Sequence, residues 1–154
     1  MEARQIRKSD YPLILELDKK AYPTYSPVTL ETIEKWYLRN PEFGIIYEQD
    51  GKICGTCISI PLNSNRWHAL IEGKLSESEM NSETIFDNSR DKKLGVHVYH
   101  MEKLSPAANF YSKCLDSLVS VVKNTVKNCK NLEVIGFSAL CTTNAGINLY
   151  TKRF

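Results

Sequence analysis

The stretch Leu132–Phe154, LEVIGFSALCTTNAGINLYTKRF, decides how this chain is read. Val134 to Leu140 is almost wholly apolar and β-rich, the pattern of a strand covered on both faces and so placed inside a sheet. A small helix follows at once, opening Thr143-Asn144-Ala145 and closing Asn148-Leu149-Tyr150. A strand that runs directly into a helix carrying a tyrosine aims a phenol at the strand's carboxyl end. Open α/β sheets bind their ligands at such ends.

Working upstream, the longest helix is expected from about Ala107 to Cys129, with Leu115, Leu118, Val119, Val122 and Val126 on one face. Leu94 to Leu104 reads as a strand, and Ser105-Pro106 ends it. Strand, helix and strand then form a right-handed crossover that sets parallel strands side by side. Further upstream, Gly44–Glu48 and Lys52–Pro61 are β-rich runs joined through Asp50-Gly51, a strong hairpin signal. Ala3–Arg7 reads as an edge strand. Ser9 or Asp10 caps a helix buried through Leu13, Ile14, Leu17 and Tyr22, with Pro12 in its first turn. Thr29 caps a second helix with Ile33, Trp36 and Tyr37 on one face, ending before Pro41. Residues Leu62 to Lys93 are polar apart from a short helix around Trp67, Leu70 and Ile71, and the remainder reads as a long loop.

At 154 residues and 42% apolar, the chain suits one domain over residues 1–154. The net charge of +2 points to no nucleic acid. From Ser105 onward six bases (Lys113, Lys123, Lys127, Lys130, Lys152, Arg153) face two acids (Asp116, Glu133), which suits a phosphorylated ligand or an ordinary solvated helix face. No run approaches the roughly 20 apolar residues that span a bilayer, and Met1–Gln5 lacks the apolar core of a secretory signal. Five cysteines, three of them in apolar strand-like contexts, favour a reducing cytoplasm over a disulfide scaffold. Cys54-x-x-Cys57 invites a zinc or redox reading, but no second pair follows. Strand positions three apart should face opposite sides, which also separates His97 from His100. No metal is expected.

The order β-α-α-β-β-β-α-β-α, read with the two late segments, resembles the GNAT superfamily of acyl-CoA-dependent N-acetyltransferases. Thr143-Asn144-Ala145-Gly146-Ile147-Asn148-Leu149-Tyr150 follows the spacing of that family's C-terminal motif, without its subsequent Gly-Phe pair. The family's pyrophosphate loop aligns with Ala107-Ala108-Asn109-Phe110-Tyr111-Ser112. Ser112 takes the small last position. Phe110 stands where the family has glycine, so its side chain must point away for the backbone N–H groups to stay open.

The resemblance implies an α/β fold of α+β type: a mixed, mostly antiparallel twisted sheet with a central parallel β-α-β crossover, flanked by helices. The family adds one or two strands after this point, so the domain is read as lacking them, and an open edge there suits a homodimer. It further implies acetyl-CoA as co-substrate, held by Met101, Lys103 and Leu104 on the strand, by Ala107 to Ser112 at the helix N-terminus, and by Thr143 and Asn144. The acceptor is then a small-molecule or peptide primary amine. Tyr150 occupies the position of the acid that protonates the departing thiolate; a phenol near pKa 10 and a thiol near 8.5 exchange a proton almost evenly. His100 and Glu102, two apart on one strand face, are the candidate bases. Tyr22, Tyr25, Trp36 and Tyr37 would wall the acceptor pocket, and Glu72, Glu77, Glu79 and Glu83 of the long loop would favour a cationic amine. A domain of this fold that binds CoA or a protein partner without catalysis is the alternative.

Overall fold

The computed structural model describes residues 1–24, 28–81, 83–141, 147–148 and 151. Their elements are β1 (Glu2–Gln5), α1 (Tyr11–Ala21), α2 (Leu30–Tyr37), β2 (Gly44–Gln49), β3 (Lys52–Asn63), α3 (Ser64–Ile71), β4 (Lys93–Lys103), α4 (Phe110–Asn128) and β5 (Glu133–Ala139). The strands form one sheet in the order β1-β2-β3-β4-β5, antiparallel except for the parallel pair β4–β5. The mixed sheet with a β-α-β crossover is the expected fold class.

Local chemistry explains most of the elements. Thr29 caps α2 by accepting a hydrogen bond from the Thr32 amide at 3.2 Å. Pro12 sits in the first turn of α1, where its missing N–H leaves no gap. At the β2–β3 turn Asp50 and Gly51 have φ of 51° and 72°, the left-handed pair that a two-residue hairpin turn requires. Ile33, Trp36 and Tyr37 face the core together with Ile46, Ile58, Ile60 and Tyr99. On the other face Phe110, Cys114, Leu115, Leu118 and Val122 are the buried stripe of α4.

Four features depart from the sequence pattern. Pro61 lies within β3, which continues to Asn63. Pairing with β2 stops at Ile58, so the side on which Pro61 lacks a donor asks nothing of it. That side is instead filled by the insertion: the Phe86 amide donates to the Pro61 carbonyl at 3.0 Å, and Leu62 bridges to Ile85. Secondly, the expected open loop is anchored by buried Leu75, Met80, Ile85 and Phe86, with a 3-10 turn at Glu77–Glu79. Thirdly, β5 is an edge strand among the described residues, despite its apolar run. Its faces are what is covered: Trp67 of α3 packs against Gly136 and Gly95 so closely that a Cβ at either would lie within 3 Å of the indole. Finally, Trp36 is a core residue at 0% exposure, while Tyr37, 2% exposed, packs in the core and also lines a surface pocket with Tyr11, Glu31, Glu34 and Lys35.

A candidate acyl-CoA and acceptor site at the β4 bulge

Along β3 and β4 the register passes from Ile58↔His100 to Ser59↔Val98 and leaves Tyr99 without a partner. This is a β-bulge, and it reverses the alternation of faces beyond it. Val98 and Met101 turn toward α4. His97, Tyr99, His100 and Glu102 all reach the face covered by α1 to α3. The Tyr99 ring meets Trp36 edge-on at 5.2 Å and lies 6.3 Å from the His100 imidazole. The expected common face of His100 and Glu102 is therefore present. The expected separation of His97 from His100 is not, because the bulge lies between them.

Three chain segments deliver carboxylates to this face. Asp18 of α1, 2% exposed, accepts a hydrogen bond from the Tyr99 hydroxyl. Glu77, from the insertion's 3-10 turn, pairs through Oε1 with His97 Nε2 at 2.7 Å. Glu102 Oε2 lies 3.9 Å from His100 Nε2. On the far side of its ring, His97 Nδ1 meets the Ser138 hydroxyl at 3.1 Å, which also accepts from the Trp67 indole N–H at 3.1 Å. His97 is thus held at both nitrogens, and His100 is the imidazole with room to exchange a proton. Burial pushes the His100 pKa below its ordinary 6.5, and Glu102, Asp18 and Glu77 offset only part of that. A neutral imidazole at pH 7 is a competent proton acceptor. Burial, then Asp18 as hydrogen-bond acceptor, raises Tyr99 far above the normal phenol range, so it stays protonated.

Of the insertion's glutamates, Glu77 alone is tied to this face. Glu72 pairs with Lys74 at 2.7 Å, and Glu79 accepts from the Ser76 amide at 2.8 Å. Tyr22 is half-buried, with its pKa raised by burial and by Glu77 and Asp18. Asp18, His97 and Tyr99 escape a sequence reading, whereas Glu77 is one of the four loop glutamates expected at the acceptor side. The one signal of the convergence is the density of polar residues in His97-Val98-Tyr99-His100, unusual for a strand that is otherwise buried.

On the opposite face, the parallel ladder ends at Val98↔Ala139 while β4 runs on to Lys103. At that rung β5 itself ends among the described residues, and β4 carries on to present Met101 and Lys103 beside the start of α4. The Leu104 and Ser105 amides both turn back to the Cys54 carbonyl, at 2.9 and 3.3 Å, and fix the loop's departure. Asn109 then enters α4 with φ 57° and ψ 26°, left-handed, and makes no side-chain cap hydrogen bond. Asparagine tolerates this conformation better than most residues, so the loop obtains its left-handed entry without glycine. Helix geometry leaves the first-turn amides without intrahelical acceptors, and a left-handed residue adjoining a helical one gathers neighbouring N–H groups to one side.

Phe110 does not obstruct that turn. Its ring, 2% exposed, packs beneath the helix against Tyr47 at 5.3 Å and over the bare backbone of Gly55. Ala107 packs partly against the same cluster, whereas Ala108, Asn109 and Tyr111 are exposed. Cys54, Cys57 and Cys114 line the cluster too. A second bulge explains how both members of Cys54-x-x-Cys57 face α4: the β2–β3 register skips Cys54, passing from Tyr47↔Gly55 to Glu48↔Ile53. All five cysteines are free thiols. Among the described residues no three metal-ligating side chains converge, and no helix is long and apolar enough to cross a membrane. Tyr150, Thr143, Asn144 and Tyr25 lie outside the described residues.

No family model and no curated protein matches the sequence. Solved structures do resemble it. GphF, a GNAT-like decarboxylase in complex with isobutyryl-CoA, matches 88% of the chain with a TM-score of 0.60 and 16% identity; the chain spans 65% of that protein's length. Arabidopsis thaliana Naa50, in complex with a bisubstrate analogue CoA-Ac-MVNAL, matches 98% of this chain and 80% of its own, with a TM-score of 0.59 and 11% identity. A predicted acetyltransferase with acetyl-CoA from Clostridium acetobutylicum matches 98% and 86%, with a TM-score of 0.58 and 12% identity. Identities this low bear on architecture and leave the reaction open, since one fold hosts several chemistries. With its bulged β4, its crossover through α4 and these likenesses, the chain has the fold of the GNAT superfamily.

Proposed function

We propose that the protein is an acyl-CoA-dependent N-acyltransferase that moves an acetyl group from acetyl-CoA directly to a primary amine. The observation that carries this reading is the left-handed entry of α4 at Asn109, which makes no side-chain cap hydrogen bond and lies just past the end of β4. A diphosphate fits amides at a helix N-terminus. The Phe110 ring is directed into the core, while Asn109 and Tyr111 of that turn are exposed. The neighbours with bound acyl-CoA or its analogues support CoA-dependent acyl transfer in general.

In this reading Ala107 to Ser112 hold the diphosphate, and Met101, Lys103 and Leu104 border the arm. Thr143 and Asn144 complete the donor site. When bound, acetyl-CoA supplies an acyl group already activated as a thioester. His100 Nε2 takes the proton that the acceptor nitrogen must lose, and Glu102 at 3.9 Å stabilises the imidazolium that forms. Tyr150 gives its phenolic proton to the departing sulfur. A carbon–nitrogen bond is made as a carbon–sulfur bond breaks, and the two proton transfers balance.

The test is free-thiol release from acetyl-CoA with a panel of amines, in the wild type, Tyr150→Phe and His100→Gln. Turnover reduced roughly 100-fold or more by either change supports the assigned roles. Turnover that survives Tyr150→Phe intact removes the phenol as acid. Saturable acetyl-CoA binding with no thiol release from any amine favours the silent, CoA-binding alternative.

A further inference from the structure

We propose that Ser138, His97 and Glu77 form a nucleophile–base–carboxylate relay, in which Ser138 takes the acyl group of an activated short-chain ester or thioester and passes it to water. This is a second reaction centre, beside His100 and independent of the direct transfer assigned there. The three side chains come from β5, β4 and the insertion's 3-10 turn. Ser138 and His97 are register partners in the parallel ladder, so their side chains share a face. His97 Nδ1 lies 3.1 Å from Ser138 Oγ, and Nε2 lies 2.7 Å from Glu77 Oε1. A hydroxyl within reach of an imidazole that a third group orients is the arrangement that activates a serine. Such constellations are recognised by geometry and role, and they recur on unrelated folds.

The partners fix where the protons lie. A carboxylate only accepts hydrogen bonds, so the neutral ring carries its hydrogen on Nε2 and turns the Nδ1 lone pair to Ser138. The Trp67 indole N–H only donates, and it meets the same Oγ at 3.1 Å. Ser138 therefore accepts from Trp67 and donates its own hydrogen to His97. General-base activation needs that polarity: a lone pair remains on Oγ for attack while its proton already faces the acceptor. Trp67 is itself held in place, because it lies on Gly95 and Gly136 where a Cβ would come within 3 Å of the indole. His97 is 3% exposed and the Glu77 side chain 14%, so the relay is shielded. Ser138 is only half-buried, on an edge strand among the described residues, and is open to a small ester.

In the first half-reaction Ser138 Oγ bonds to the acyl carbon and its proton passes to His97 Nδ1. The bond from that carbon to the leaving oxygen or sulfur breaks, and the leaving group departs with the proton from His97. Water then attacks the acyl-serine and gives a proton to His97. The bond to Oγ breaks, Oγ recovers that proton, and a carboxylic acid is released. Glu77 stabilises the imidazolium in both halves.

The experiment uses 4-nitrophenyl acetate, with release of 4-nitrophenol followed by absorbance and the adduct located by peptide mass mapping. Wild type should release 4-nitrophenol faster than buffer and carry an acetyl group on Ser138. Ser138→Ala should lose the adduct and slow release about 100-fold. Glu77→Gln should slow it at least tenfold, and ¹⁵N NMR of the His97 ring should show the hydrogen moved from Nε2 to Nδ1, a change that a merely structural glutamate would not cause. Ser138→Cys guards against misfolding as the explanation, since it should be acetylated again at position 138. Acetylation confined to lysines or native cysteines, release that survives Ser138→Ala, or no release above buffer overturns the proposal. The ester contains neither CoA nor an amine, so these outcomes are separate from success or failure of the acetyl-transfer reading.

Discussion

The Phe110 ring is the point at which packing and donor binding meet, and Gly55 is the lever on it. A Cβ at Gly55 would lie 2.2 Å from Phe110 Cε2, 2.5 Å from Cζ and 2.8 Å from the Glu102 carbonyl. None of these is a tolerable separation, and the ring cannot yield freely, since Tyr47 and Tyr111 stand 5.3 and 5.2 Å from its centre. Gly55→Ala must therefore shift Phe110 together with the first turn of α4. Overpacking of this kind costs about 1–3 kcal/mol. Phe110→Ala, which empties the same space, costs about 3–5 kcal/mol. In the double variant the new methyl occupies part of the vacated volume, so its loss should fall short of the sum by about 1–2 kcal/mol. Urea unfolding followed by tryptophan fluorescence measures all three, with an unchanged slope showing that the comparison is of stability alone. Gly55→Ala should also weaken CoA binding, because the amides of the displaced turn are the proposed diphosphate donors. Additivity within about 0.5 kcal/mol, or a Gly55→Ala protein with native stability, would refute this packing argument.

Two further predictions concern titration. Burial alone would raise the Asp10 carboxyl, but hydrogen bonds from Arg4 (2.7 and 2.9 Å) and from the Arg7 amide (2.8 Å) prevail and hold its pKa below the ordinary 3.8. A depressed folded-state pKa contributes stability above the unfolded value and loses it as the pH falls through the folded one. Asp10→Asn should thus cost about 1–3 kcal/mol at pH 7 and much less at pH 2; an equal loss at both would contradict the assignment. For His100, lowered by burial, the neutral form dominates at pH 7 and the contribution to stability disappears on acidification. Its NMR titration should lie below 6.5, and Glu102→Gln should move it lower still by removing a raising charge; an upward move would show that the two side chains do not interact.

What the sequence revealed and what it hid divide along a physical line. Signals carried within a few residues came through: the Thr29 cap, Pro12 in the first turn, Asp50-Gly51 at the hairpin, and the apolar stripe of α4. Each is a local backbone demand met by a local side chain. The bulges at Tyr99 and Cys54 were hidden, because one inserted residue leaves no mark on composition yet reverses every face beyond it. That reversal brought His97 and Tyr99 to the side of His100, and set Cys54 with Cys57 against Phe110. Asp18 was hidden for another reason: its partner Tyr99 lies 81 residues away, and nothing nearby announces the pairing; Glu77 was legible as one of four loop glutamates, but its pairing with His97, 20 residues away, was not. The pairing of His100 with Glu102 on one face was legible, since no bulge falls between them.

The most direct test of the donor site is a ¹⁵N-resolved NMR titration with CoA and, separately, with pantetheine, which has the arm but no diphosphate. Saturable CoA-dependent shifts centred on the amides of Phe110, Tyr111 and Ser112, with pantetheine perturbing β4 near Met101 but leaving those three in place, is the predicted result. Shifts that fall elsewhere, or no saturable response to CoA, would contradict it.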